Sequence, residues 1–283
     1  MLSHPAIARD HVAVVTGAAS GIGLAAAMKF AASGMKVCMA DIDGPRLERA
    51  AKDVAMVCPG GRDHVLTVPT DVADFSGVVN LKNRALDTFG QVNVLMNNAG
   101  IALRANTWRD YANWQKILHV NLWGVINGVH AFTQAMIDQD LPACIINTGS
   151  KQGITCPPGN TAYNISKAGV KALTEGLQHE LRNTDGCQVT AHLLVPGFTY
   201  TGMVRAHAAE KPTGAWLPEQ LVDYLFTRLG NGDFYIICPD NDVSEALDRK
   251  RILWAAGDLA ENRPPLSRWH EDFISAFEEY MKK

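Results

Sequence analysis

Tyr163 and Lys167 stand four residues apart in the run Thr161-Ala-Tyr-Asn-Ile-Ser-Lys167. On a helix that spacing places both side chains on one face, one turn apart. An ammonium held beside a phenol favours the phenolate, so the spacing implies a Tyr163 pKa drawn down from about 10 toward neutrality. Such a group could pass a proton to or from an alcohol oxygen. The same spacing also occurs on ordinary solvated helix faces. Its meaning therefore depends on what the rest of the chain brings to the tyrosine.

One contribution is a glycine turn. Val12–Val15 reads as a strand and runs into Thr16-Gly-Ala-Ala-Ser-Gly-Ile-Gly23, then into a helix. Gly17 permits a tight turn, Gly21 lets backbone approach a phosphate, and Gly23 allows close helix–strand packing. The free N–H groups around Ser20, Gly21, Ile22 and Gly23, with the helix dipole, would receive a pyrophosphate. After the first strand of a βαβ unit, such a turn favours a dinucleotide over a plain tight turn. The second strand ends at Asp41, eighteen residues past Gly23. A carboxylate there can accept both hydroxyls of an adenine ribose and repel a 2′-phosphate. Ala18, Ala19 and Ile42 offer that phosphate no cation, so NAD is expected over NADP. Asp71 and Val72 close the third strand and can meet the adenine edge. Asn97-Asn98-Ala-Gly100 closes the fourth and can line the cofactor.

The elements that must position these residues alternate. Val12–Val15, Val37–Ala40, Val65–Val68, Val92–Met96, Cys144–Asn147, Val189–Val195 and Phe234–Cys238 read as strands, most of them nearly continuous in apolar residues, as strands buried on both faces should be. Helical stretches fall near 22–33, 45–56, 74–89, 109–138, 161–183 and 218–229. This pattern implies an α/β fold: one doubly wound parallel sheet with helices on both faces. Ser150 ends a buried strand in Ile146-Asn-Thr-Gly-Ser150, so it would lie at the carboxyl edge where such sheets bind ligands. Asn121, inside an otherwise apolar helix, is costly unless hydrogen-bonded. After Cys238 the alternation stops. Residues 242–256 look helical, Glu261-Asn-Arg-Pro-Pro265 is a breaker, and Leu266, Trp269, Phe273, Phe277 and Tyr280/Met281 recur as one face of an amphipathic helix. The division is therefore 1–240, carrying cofactor and catalytic groups, and 241–283, a helical extension packed on the same domain.

Thr16–Gly23 (TGxxxGxG), Asp71, Asn97–Gly100 (NNAG), Asn121, Ser150, Tyr163/Lys167 (YxxxK) and Pro196-Gly197 occur together and in this order. In them the chain resembles the short-chain dehydrogenase/reductase family, over roughly residues 10 to 240. The resemblance implies a single Rossmann-type domain and a set of roles. Tyr163 is the acid/base. Lys167 lowers its pKa and binds the nicotinamide ribose, and Ser150 bonds the substrate oxygen. Asn121 holds a water that extends the proton path to Lys167. Pro196-Gly197 and the following Thr199 and Thr201 meet the nicotinamide carboxamide. The family's substrate contacts correspond here to Gln152–Pro158 and Phe198–Trp216, which offer Gln152, Ile154, Cys156, Phe198, Tyr200, Met203 and Trp216. That lining suits an apolar or aromatic secondary alcohol or ketone. Arg205, His207 and Lys211 in the second segment read as solvated loop charges. Gly202, Gly214 and Ala208-Ala209 would let this segment close as a lid.

Composition narrows the alternatives. With 47% hydrophobic and 19% charged residues and a net charge of -3, the chain has neither a basic footprint for nucleic acid nor one for an anionic membrane. No apolar run approaches a membrane span. The start lacks the regions of a signal peptide, and a cytoplasmic protein is expected. Six scattered cysteines without a CxxC pair read as reduced thiols. Nine histidines show no ligand spacing, so no metal is expected. A homo-oligomer is expected. Its usual tetrameric packing is in question because about forty-five residues follow the last strand, and a dimer through the helices at 109–138 and 161–183 is the other arrangement. Two other functions compete with this reading. One is a non-catalytic NAD(H)-binding regulatory or assembly protein, disfavoured by the intact Ser150, Tyr163, Lys167 and Asn121. The other is epimerisation or dehydration on the same fold, for which the sugar-nucleotide branch usually carries TGxxGxxG.

Overall fold

The computed structural model describes residues 4–205, 208 and 210–282, without the Arg205 side chain. Strands and helices alternate as β1 (Val12–Thr16), α1 (Gly21–Ala32), β2 (Lys36–Asp41), α2 (Gly44–Val57), β3 (Val65–Pro69), α3 (Phe75–Phe89) and β4 (Val94–Asn97). The second half runs α4 (Tyr111–Leu118), α5 (Gly124–Asp138), β5 (Ala143–Thr148), α6 (Gln152–Thr155), α7 (Thr161–Arg182), β6 (Val189–Val195), α8 (Gly202–Arg205), α9 (Pro218–Gly230) and β7 (Tyr235–Ile237). The extension adds α10 (Glu245–Ala260) and α11 (Ile274–Lys282).

The seven strands form one parallel sheet in the order β3-β2-β1-β4-β5-β6-β7. The winding reverses between β1 and β4, and at such a switch point the strand ends leave a crevice for ligands. The apolar strands alternate their side chains between two cores. Ala13, Val15, Val37, Met39, Cys144 and Ile146 pack with α1, α2 and α9 on one face. Val14, Cys38, Ala40, Leu95 and Ile145 pack with α3, α5 and α7 on the other. Both faces being covered explains why the strands read as continuous apolar runs.

Two helical expectations need correction. The stretch at 109–138 is not one helix: α4 and α5 are joined by a π-helical turn over His119–Trp123, which contains Asn121. The periodic apolar residues after 265 do not form one helix either. They occupy two 3-10 turns, Ser267–Trp269 and Glu271–Phe273, followed by α11. The physical reason lies upstream. Pro264 and Pro265 cannot donate, Leu266 takes a left-handed conformation (φ 58), and Asp258 accepts from both the Ser267 N–H and its hydroxyl. Those bonds fix the chain before a helix can start. The face is only partly covered. Phe277 and Tyr280 stack on the buried Trp254, while Trp269 and Ile274 stay in the open.

All six cysteines are free, four of them buried. Among the described residues no helix is long and apolar enough to cross a membrane, and no His/Cys/Asp/Glu group is arranged to hold a metal.

Candidate active site

The carboxyl ends of β1, β2 and β4 build the cofactor side. Gly17 and Gly21 take left-handed conformations (φ 67 and 57). A Cβ on Gly17 would lie 2.9 Å from the Ala99 Cα, and one on Gly23 would lie 2.2 Å from the Gly17 carbonyl oxygen. Backbone approaches backbone here more closely than any side chain permits, and the result is the concave turn that a pyrophosphate requires. Thr16 joins this turn to the end of β4. Its hydroxyl accepts from the N–H groups of Asn98 and Ala99, and the Asn98 amide donates to the Thr16 carbonyl at 3.1 Å. Ser20, at the head of α1, makes no side-chain capping bond, so the N–H groups of the first turn face outward without an internal partner.

Asp41 ends β2 with one carboxylate oxygen accepting from the Ala19 N–H and the other from the Asp43 N–H, each at 3.1 Å. It therefore ties the glycine turn to the neighbouring strand and leaves its negative charge at the rim. Asp71 is exposed and caps its own turn through the Ala73 N–H. Val72 is buried, and its carbonyl accepts from Asn127 at 2.9 Å. A Cβ on Gly21 would meet the Thr201 methyl at 3.3 Å, so the segment after Pro196-Gly197 folds back over the glycine turn. Thr199 is buried, and its hydroxyl donates to the Gly197 carbonyl at 3.0 Å. Gly197 is pressed against the end of β7, where a Cβ would fall 2.6 Å from the Pro239 oxygen.

β5 and α7 supply the reacting side. Asn160 caps α7, accepting from the Tyr163 N–H and donating to the Leu103 carbonyl. This sets the rotation of the helix and with it the direction of Tyr163. The Ser150 side chain faces the Tyr163 phenol and favours its ionised form. One turn on, the buried Lys167 donates to the Thr148 carbonyl at 2.8 Å, and its Nζ stands 5.9 Å from the Tyr163 ring. Burial lowers the Lys167 pKa to about 8.

The tyrosine departs from expectation. Its pKa is raised, because burial disfavours the phenolate more than the Ser150 side chain favours it. The ammonium gives one donor to the Thr148 carbonyl and does not bond the phenol. Asn121 is held at both ends by one residue: its Oδ1 accepts from the Ile101 N–H at 2.8 Å and its Nδ2 donates to the Ile101 carbonyl at 2.9 Å. The π turn that carries it breaks the regular helical ladder, a feature often found at functional positions.

The substrate side is looser. Gln152 is exposed, with its N–H donating to the Ser150 hydroxyl at 3.2 Å. Cys156 is half-buried in a left-handed conformation (φ 45), while Phe198 and Met203 are each 43% exposed. Trp216 packs on the α1–α9 core and meets Tyr224 edge-on, while its backbone N–H donates to the Phe198 carbonyl at 2.8 Å. His207, Ala209 and the Arg205 side chain lie outside the described residues.

One part of the site carries no motif. Lys151, next to Ser150, is bridged to Asp240 at 3.3 Å and to Asp248 at 2.7 Å. Asp240 also accepts from the Phe198 N–H at 3.0 Å. One carboxylate thus ties the serine segment to the loop after Gly197, and a second attaches α10 to both. The only hint in the sequence is a lysine directly after the serine and aspartates past the last strand.

Known proteins agree with this geometry. The short chain dehydrogenase family matches residues 11–212. The chain is 30% identical to 1-deoxy-11-beta-hydroxypentalenate dehydrogenase of Streptomyces exfoliatus over 92% of its own length and 94% of that protein's. It is 36% identical to the NADP-dependent (R)-specific alcohol dehydrogenase of Lentilactobacillus kefiri over 69% of its own length and 76% of that enzyme's. Among solved structures, a short chain dehydrogenase/reductase of Burkholderia phymatum in complex with NAD superposes with a TM-score of 0.81 and 31% identity, covering 94% of this chain and 98% of that one. The doubly wound sheet is thus that of an oxidoreductase, and the chain belongs to the short-chain dehydrogenase family.

Proposed function

We propose that the protein interconverts a secondary alcohol and a ketone with NAD, Tyr163 acting as the acid/base. The observation that carries this reading is the meeting of Ser150, Tyr163 and Lys167 at the carboxyl edge of β5, beside a turn shaped for a pyrophosphate. When bound, the nicotinamide supplies or accepts the hydride; everything else falls to the chain. Ser150 orients the alcohol oxygen against the phenol. Tyr163 removes the hydroxyl proton in oxidation and returns it in reduction. Lys167 lies one turn away with a weakened hold on its own proton. It supports the phenolate electrostatically, with two ammonium donors that the single bond to Thr148 does not use. Asn121 stiffens the floor between Ile101 and α7, with Ser166 at 3.5 Å from its Nδ2.

Asp41 supports NAD over NADP, because its carboxylate is pinned at the rim by Ala19 and Asp43 and would repel a 2′-phosphate. The exposed Phe198 and Met203 and the half-buried Ile154 and Cys156 favour an apolar or aromatic substrate. Trp108 before α4, Tyr111 on α4, Trp123 in the π turn and Ile165 on α7 are exposed, which supports a homo-oligomer formed through those helices. An absorbance screen at 340 nm (the NADH band) of secondary alcohols, from small aliphatic to bulky aryl, tests the reading. Turnover with NAD and at least about tenfold lower kcat/KM with NADP is expected. Equal rates with the two cofactors would remove the Asp41 argument.

A further inference from the structure

Two adjoining cavities lie between α6 and the C-terminal extension, of about 340 and 250 Å3, the larger within the range of small-molecule sites. They share Ile154, Thr155, Arg251, Arg268 and Trp269 as walls, and neither is lined by Ser150, Tyr163 or Lys167. Lys151 is paired with Asp240 and Asp248, and Arg263 with Asp258 and Glu261. Arg251 and Arg268 then have no ion pair among the described residues, and the Arg251 Nε is buried without a hydrogen-bond partner. Burial and the neighbouring Arg251 both disfavour the Arg268 charge. Asp248, already shared with Lys151, acts in the other direction, as do the faces of Trp269 and Phe277, 4.7 and 5.2 Å from the Arg268 guanidinium. Two like charges are thus held together partly out of water, in a chain whose net charge is -3. That arrangement is costly until an anion joins them. A guanidinium fork matches the two oxygens of a carboxylate. Ile154, Cys156, Trp254, Leu266 and Trp269 supply apolar wall beside Asn262 and the Asp258–Arg263 pair.

We infer that this cavity binds an organic carboxylate with an apolar body, the carboxylate held between Arg251 and Arg268. An inorganic anion would satisfy the arginines and leave the apolar walls unfilled. The short helix α6 separates the cavity from Ser150, so the carboxylate is either the far end of a substrate or a free acid. The first identification rests on the dehydrogenase reading above; the binding does not.

Titration of the wild type and of Tyr163→Phe with decanoate and with 1-decanol, followed by tryptophan fluorescence, separates the two. Both proteins are expected to prefer the acid by about tenfold or more. The double variant Arg251→Met/Arg268→Met should lose that preference, and Arg251→Lys/Arg268→Lys should keep part of it. NADH affinity and the thermal midpoint report whether each variant is folded. If the double methionine variant does not fold, Arg268→Met alone reads the same preference. Competitive inhibition of alcohol oxidation by decanoate places the carboxylate on the substrate, and an unchanged KM makes it a free acid; both outcomes support the site. Equal affinity for acid and alcohol, no decanoate binding below about 1 mM, or a preference unchanged in the methionine variant overturns it. An inactive enzyme that still prefers decanoate would sink the dehydrogenase reading and leave this site standing.

Discussion

At Gly23 a methyl group would lie 2.2 Å from the Gly17 carbonyl, whereas a few strands away Gln152 and Phe198 stand largely in the open. The cofactor side of the sheet edge is held by backbone touching backbone and by short side chains, Thr16, Asp41 and Asn98, bonded to main-chain groups. The substrate side is held by side chains: Lys151 between two aspartates, and Trp254 among Arg263, Phe277 and Tyr280. The first arrangement tolerates almost no change, because its geometry admits one residue type at each position. The second can be rebuilt with other residues while the sheet stays intact. A rigid ligand common to many substrates fits the first, and a variable one fits the second.

Breaking the cofactor side should have the largest effect. Gly23→Ala places a Cβ against a carbonyl that cannot move without opening the β1–α1 turn. It is expected to cost about 3 kcal/mol of stability or more and to abolish NADH binding, read by fluorescence titration and thermal melting. Lys167→Met should act in opposite directions on activity and stability. Turnover should disappear, while stability at pH 7 should rise on the order of 2 kcal/mol as a buried charge is removed, less the lost bond to Thr148. The sign follows from linkage. With the folded pKa lowered to about 8 and the ordinary value at 10.5, the unfolded chain binds more protons between them. Wild-type stability from this group therefore rises over that window. Urea titrations at several pH values should show the variant's advantage intact below about pH 8 and vanishing toward 10.5. Asp248→Ala should have the smallest effect. Lys151 keeps Asp240, so a loss of about 1–2 kcal/mol is expected. KM for the alcohol should change while NADH affinity stays within about twofold. A variant that loses NADH binding would show that the two sides are not separable.

The same contrast explains what the sequence made legible. Strands buried on both faces announce themselves as apolar runs, and all seven were readable to within a few residues. The glycine turn was readable because backbone geometry dictates its residue type, and the Tyr163–Lys167 pair because four residues make about one turn of α7. The π turn at His119–Trp123 was hidden, because one residue too many in an apolar helix leaves the periodicity nearly unchanged. The extension was misread as a continuous amphipathic helix, because the Asp258–Ser267 bonds that stop it join residues nine apart. The raised Tyr163 pKa was equally invisible. Spacing predicted the ammonium's proximity but not that a carbonyl at Thr148 would take one of its donors, nor how deeply the phenol would be buried.

The central claim concerns the Tyr163 proton, and it is tested most directly by Tyr163→Phe. The phenyl ring keeps the packing and removes only the hydroxyl. The expected result is a fall in kcat of at least about a thousandfold for alcohol oxidation, with NADH affinity and thermal midpoint near those of the wild type. A variant that keeps near wild-type kcat would contradict the account.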